Sequence, residues 1–95
     1  MIYSDGIHLI SDTSLEELHA FAEKIGLKRG WLHHTPGRPH YDLVTEDIRQ
    51  RARDAGAKFV GRRELVAAIR RNPLYAEWQT ERARRRNRAN RSVRE

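Results

Sequence analysis

Residues 8–22, HLISDTSLEELHAFA, decide the fold of this chain. The apolar pair at positions 9 and 10 predicts a short buried strand over residues 7–11, with His8 as its one polar member. Thr13 and Glu16 have the spacing of a capping box, which predicts that a helix begins here and continues to about residue 25. The apolar stripe of this helix consists of Leu15, Leu18, Phe21, Ala22 and Ile25.

The rest of the chain continues the alternation of strands and helices. Residues 27–39 contain two Gly and two Pro and predict a long loop. Short strands are predicted at 40–44 and 57–60, with a helix capped by Thr45 between them. A further helix over 62–71 ends at Asn72-Pro73, which begins the last helix. We therefore expect an α/β fold in which helices pack on a small, three-stranded, mostly parallel sheet.

Composition excludes several classes of protein. A chain of 95 residues forms one domain with a small core. It has no cysteine, which excludes disulfides and thiolate metal sites. It has no apolar run near the roughly 20 residues that span a bilayer, and it lacks the basic start of a signal peptide. We expect a cytoplasmic protein that does not bind membranes; its oligomeric state stays open.

The charge is concentrated at the end of the chain. The net charge is +6, and residues 80–95 contribute seven Arg and two Glu, hence +5. We therefore divide the chain into a domain over residues 1–72 and a basic helix or tail over 73–95. Such a tail binds phosphate backbones; a solvated helix extension, a disordered end and an acidic protein partner are the alternatives. The arginines expected to contact nucleic acid are Arg82, Arg84, Arg85, Arg86, Arg88 and Arg91.

Five ionisable residues indicate a polar site: His8, Asp12, His19, His40 and Asp42. Imidazoles and carboxylates bind divalent metals or transfer protons near neutral pH. We expect the five to converge on one pocket, with His19, His40 and Asp42 as the catalytic candidates. The alternative is structural, with Asp12 helping to cap the helix and the histidines hydrogen-bonded at the edge of the core.

Two other positions, Arg63 and Trp31, have two interpretations each. Arg63, at the start of a predicted helix, could hold a phosphate or pair with a carboxylate such as Asp42. Trp31 could stack on a base or a sugar, or anchor its own loop. The adjacent His33 and His34 are expected to be solvated. With Arg63 and Tyr41, the expected ligand-binding set is His8, Asp12, His19, His40, Tyr41, Asp42 and Arg63.

Three blocks in order resemble a known family: HLISDTSLEELHAFAEKIGLKRGWL, PHYDL and RARDAGAKFVGRREL. They are similar to the domain-of-unknown-function family 4031, a family of small bacterial and phage proteins. The resemblance covers about residues 2–70 and implies a fold and a set of polar positions, but no reaction. The matching positions are His8, Asp12-Thr13, Glu17-Leu18-His19, Ala22, Trp31, His40-Tyr41-Asp42, Arg51-Ala52, Gly56-Ala57 and Arg63-Glu64-Leu65.

Taken together, these features favour a module that binds a phosphate-bearing ligand, either a nucleotide or a nucleic acid. The polar pocket would hold the ligand and the tail arginines would add non-specific attraction. One alternative is a phosphoester hydrolase or nuclease-like enzyme that uses a divalent metal. Another is a phage accessory protein that inhibits a host or defence protein. No cofactor is implied with certainty.

Overall fold

The structure is a computed structural model, which describes the backbone of residues 1–94 and the side chains of residues 1–86. Four strands and four helices follow one another, with a 3₁₀ turn at Arg29–Trp31 between α1 and β3. In chain order the elements are β1 (Ile2–Ser4), β2 (His8–Ser11), α1 (Leu15–Lys24), β3 (Tyr41–Asp42), α2 (Glu46–Asp54), β4 (Lys58–Phe59), α3 (Arg62–Arg71) and α4 (Pro73–Arg94).

The α/β class is confirmed, but the predicted three-stranded, mostly parallel sheet is wrong. The sheet has four strands in the order β3-β2-β1-β4. Strand β2 is antiparallel to both β1 and β3, and only the β1–β4 pair is parallel. The sheet is therefore mixed, with two antiparallel pairs and one parallel pair.

The difference arises at the first two strands. Only three residues separate β1 from β2, whereas a parallel connection needs about a dozen or more, so the two strands must form a hairpin. Its turn contains Gly6, whose φ is 96°, and the carboxylate of Asp5 accepts hydrogen bonds from the backbone N–H groups of Ile7 and His8. The hairpin adds β1 to the sheet as a fourth strand, between β2 and β4.

Helices cover both faces of this sheet. On one face α1 and α2 bury a cluster that includes Leu9, Leu18, Tyr41 and Ala52. On the other face α3 buries Tyr3, Ile10, Leu65 and Ala68. Because successive strand residues point to opposite faces, Leu9 faces α1 while His8 and Ile10 face the α3 side.

Most predicted helix boundaries are confirmed. Thr45 caps α2 by accepting a hydrogen bond from the N–H of Ile48, and Gly26 follows α1 with a φ of 92°. The start of α1 is one residue later than predicted: Ser14 is the N-cap, and its hydroxyl accepts from the N–H of Glu17. The preceding Thr13 instead donates its hydroxyl to Asp12.

Helix α4 begins at the predicted boundary and is attached to the domain there. The Asn72 side chain is buried, donates to the carbonyl of Ser11 and accepts from the N–H of Leu74. Further along the helix, the Trp78 ring lies against Gly37 so closely that a Cβ added to Gly37 would be 2.5 Å from Cε3 of the ring. Within residues 1–94, no helix combines the length and the apolarity that crossing a bilayer requires.

We expect Gly37→Ala to lower the free energy of unfolding by about 2 kcal/mol or more. Gly37 has a φ of 73°, which a residue with a Cβ rarely adopts, and the added carbon would also collide with Trp78. Urea unfolding measures the change. Gly30→Ala is the matched control, since an added Cβ there meets nothing within 4 Å. Equal stability of the two variants would contradict the close packing at Gly37.

Candidate functional site

Four polar side chains gather on the α3 side of the sheet because of two cross-strand pairs. Asp42 lies opposite His8 in the β2–β3 register. His40 lies opposite His33 in an isolated antiparallel bridge, in which each N–H donates to the other's carbonyl. Since His40 and Asp42 are two residues apart, both point to the same face. We call His8, His33, His40 and Asp42 the histidine–aspartate cluster.

A tight turn within the predicted loop brings His33 into this cluster. The N–H of Arg38 donates to the carbonyl of Thr35 at 2.9 Å, and Pro36 and Gly37 occupy the two central positions. Gly37 has the positive φ that a type II turn requires there. The turn reverses the chain, so His33 meets His40, contrary to the expectation that His33 is only solvated. The Pro-Gly pair is the sequence signal from which this reversal could have been predicted, although only a loop was expected here.

The cluster is closely spaced. The rings of His33 and His40 are stacked, with centroids 5.0 Å apart and an interplanar angle of 7°. The rings of His8 and His40 meet edge to face at 5.2 Å. The two carboxylate oxygens of Asp42 lie 3.0 Å from Nε2 of His33 and 3.6 Å from Nε2 of His40.

In two of the histidine rings, the Nδ1 atom has a hydrogen-bond partner outside the cluster. Nδ1 of His40 lies 3.0 Å from the backbone carbonyl of Arg38, and Nδ1 of His8 lies 3.1 Å from the Asp5 carboxylate. A carbonyl or an ionised carboxylate only accepts, so Nδ1 is the donor in both rings. In the neutral imidazole this leaves Nε2 with a lone pair, the state in which histidine binds a metal.

The pKa of Asp5 shows that its carboxylate is held ionised. Partial burial alone would raise this pKa, but the hydrogen bonds from the N–H groups of His8 and Ile7, and from the His8 ring, lower it below the usual value. Asp5 is therefore the acceptor that orients His8, as outer carboxylates do for metal-binding histidines.

His8, His40 and Asp42 have the spacing of a metal site. One ligand atom from each lies within 4.8 Å of those of the other two. Two imidazoles and a carboxylate suit divalent ions such as Zn²⁺, Fe²⁺ or Mn²⁺, and three protein ligands leave coordination positions open. Of the residues that were predicted to converge on one pocket, these three do so.

Arginines border a cavity beside the cluster. This cavity, of about 500 Å³, has polar walls formed by Asp5, His8, Thr35, Arg38, His40 and Arg62, and the rest of its lining is apolar. Arg63, the predicted ligand, is exposed at the start of α3, and among the described residues Asp42 is paired with His33 and His40 instead. The neighbouring Arg62 occupies the position by the cavity that Arg63 was expected to have.

His19 and Tyr41 lie on the other face of the sheet. A hydrogen bond joins Nδ1 of His19 to the Tyr41 hydroxyl, and both residues are buried. Tyr41 points away from its neighbours His40 and Asp42, and α1 packs on the Tyr41 side. The structure therefore separates His19 and Tyr41 from the cluster that they were expected to join.

Asp12 lies at the opposite end of β2 from His8. Its carboxylate is 2.9 Å from the amino group of Met1 and 3.6 Å from Arg71, so it forms ion pairs at the edge of the domain. Four of the predicted nucleic-acid contacts lie along α4 and are exposed: Arg82, Arg84, Arg85 and Arg86. The side chains of Arg88 and Arg91 are outside the described residues.

These features define a small mixed α/β protein with an open histidine–aspartate cluster on one face of its sheet. The family model described as "Protein of unknown function (DUF4031)" matches residues 5–72. The chain belongs to this family, which confirms the resemblance seen in the sequence. Comparison with curated proteins and with solved structures gives no match.

We expect the His19–Tyr41 pair to make the free energy of unfolding depend on pH. Burial, with a smaller contribution from Arg29, lowers the pKa of His19 below 6.5. The unfolded chain then binds more protons than the folded one, so stability decreases as the pH falls from about 6.5 through the pKa of the folded state. His19→Gln removes this group, and its unfolding free energy should decrease less between pH 7 and pH 5. Identical pH dependence of the two proteins would show that His19 is not buried as a neutral ring.

Proposed function

We propose that this chain is a module that binds a phosphate-bearing ligand, a nucleotide or a nucleic acid, through a divalent cation held by the histidine–aspartate cluster. One observation carries the proposal: ligand atoms of His8, His40 and Asp42 lie within 4.8 Å of one another. The cation would add the positive charge and the open coordination positions to which phosphate oxygens bind.

The surroundings of the cluster support a metal rather than a purely structural role. Asp5 and the Arg38 carbonyl hold the Nδ1 atoms of two rings, which is the outer-shell arrangement of metal-binding histidines. His33 holds one oxygen of Asp42 and leaves the other oxygen toward His40. A cluster that served packing alone would have no need of such oriented lone pairs.

Charge around the cluster favours an anionic ligand. Arg38 and Arg62 line the cavity next to His8 and His40, and arginine binds phosphate oxygens through charge-assisted hydrogen bonds. Exposed arginines add positive charge along α4, where Arg85 pairs with Glu81. At 100° per residue, Arg82, Arg84, Arg85 and Arg86 point to several sides of the helix, so they attract a polyanion without reading its sequence.

Hydrolysis of a phosphoester is the second candidate, and His33 is the observation that favours it. The His33 side chain is 55% exposed and its Nε2 is 3.0 Å from Asp42. It is therefore open to solvent beside the three candidate ligands, where an imidazole can take a proton from an attacking water. A metal with three protein ligands also keeps a position for that water.

We expect His40→Ala to abolish high-affinity binding of Zn²⁺ or Mn²⁺ in calorimetric titration, because it removes one of three ligands. Asp5→Asn should weaken binding by roughly 10- to 100-fold, the usual effect of losing an outer-shell partner. His34→Ala is the matched control from the same loop, since His34 makes no hydrogen bond, ion pair or ring contact within the described residues.

Equal metal affinity of the His40 and His34 variants would overturn the proposed site. If the metal binds as expected, calorimetry with inorganic phosphate and a nucleoside monophosphate shows whether the loaded site takes an anion. Metal-dependent turnover of a phosphodiester that is lost in His33→Ala would favour the hydrolase, whereas saturable binding without turnover would favour the binding module.

We expect replacement of Arg82, Arg84, Arg85 and Arg86 by Gln to flatten the salt dependence of binding to single-stranded DNA. Each phosphate contact adds about 0.7 to the slope of log K against log salt, so four lost contacts reduce the slope by up to about 3. Titrations of a fluorescent oligonucleotide at several salt concentrations measure it, and unchanged Zn²⁺ affinity is the control. An unchanged slope would show that α4 does not contact the strand.

A further inference from the structure

The histidine–aspartate cluster lies between two cavities, one of which is lined by two arginines. His8 and His40 border the cavity that contains Arg38 and Arg62. His33 and Asp42 border a second cavity of about 420 Å³, whose other walls are mostly apolar and include Trp31 and Val44. A ligand seated on the cluster would thus have Arg38 and Arg62 on one side and Trp31 on the other.

Trp31 is exposed although it is not needed to anchor its loop. The neighbouring Leu32 is the buried anchor, at 6% exposure, whereas Trp31 is 53% and Val44 is 74% exposed. The ammonium group of Lys28 lies 5.5 Å from the centre of the Trp31 ring. Leu32 therefore supplies the buried contact of this loop, while about half of the Trp31 surface is open to solvent.

We propose that Trp31, with Val44 beside it, is the stacking surface for a base of the ligand. This inference rests on the proposed function and specifies its ligand: a nucleotide whose phosphate lies at the cluster and whose base lies on Trp31. Every base offers a π-face, and stacking on an aromatic side chain adds roughly 1–3 kcal/mol per base. A bare phosphate or a sugar phosphate would leave the second cavity empty.

Stacking on Trp31 favours an unpaired strand over a duplex. A base in a duplex is stacked between its neighbours and cannot lie on Trp31, whereas a base in a single strand can. A strand that continued from a phosphate at the cluster past His8 and His40 would reach the cavity that contains Arg38 and Arg62. Lys28 adds a further positive charge near the base end.

The test compares adenosine 5′-monophosphate with ribose 5-phosphate, which carries the same phosphate without the base. In calorimetry with the Zn²⁺-loaded full chain, we expect the nucleotide to bind roughly 5- to 100-fold more tightly. Trp31→Ala should remove this difference and leave the affinity for ribose 5-phosphate unchanged. Trp31→Phe should retain most of the difference, because the phenyl ring keeps a stacking face. Thermal melting confirms that both variants fold.

The outcomes separate this inference from the proposed function. Equal affinity for the two probes, both lost in His40→Ala, would overturn stacking on Trp31 but leave the metal-held phosphate in place. Failure of both probes to bind would overturn the proposed function and the stacking surface with it. A thymidine oligonucleotide that binds more tightly than the mononucleotide, and loses that gain in Arg62→Gln, identifies a single strand as the source of the nucleotide. Equal binding of the two identifies a free nucleotide, and the stacking surface stands in both cases.

Discussion

The carboxylate of Asp5 connects the fold to the site. It accepts the N–H groups of Ile7 and His8 and so closes the β1–β2 turn, and the same group holds the His8 ring. Arg49 of α2 donates to the carbonyl of Gly6 in this turn, so the second helix also depends on the turn geometry. Because the turn fixes the register of β1 against β2, it decides which residues of β2 face each helix layer. The position of His8 beside Asp42 follows from that register.

Alternation along β2 and β3 explains which predicted residues meet. Neighbouring strand residues face opposite sides, so His8 and Leu9 are separated, as are Tyr41 and Asp42. Helix α1 packs on the side of Leu9 and Tyr41, and its polar edge carries His19 to that side. The sequence contained this information: a helix that covers Leu9 cannot bring His19 to His8. The residues that do converge, His8, His40 and Asp42, all lie on the opposite face.

Local signals in the sequence were sufficient for the helices and insufficient for the sheet. Thr45, Gly26 and Asn72 act through hydrogen bonds within a few residues, or through their own φ, and each lies where the sequence indicated. Strand partners are set by contacts between distant residues. For this reason β1 was not predicted as a strand of the sheet, and the sheet was predicted to be mostly parallel. His33 shows the same limit. The sequence shows the Pro-Gly pair at the centre of the turn between His33 and His40. The stacking of the two rings, however, follows from the backbone pairing of these residues, which the sequence does not show.

The contact between Trp78 and Gly37 shows that the packed domain extends beyond the segment that matches the family. The family segment ends at residue 72, yet a ring six residues beyond it covers a turn inside it. That turn joins His33 to His40, two members of the cluster. The family segment is thus not self-sufficient in this chain, because the cover over Gly37 comes from residue 78. The rigidity of the turn that presents the cluster therefore depends, in this chain, on a side chain outside the family segment.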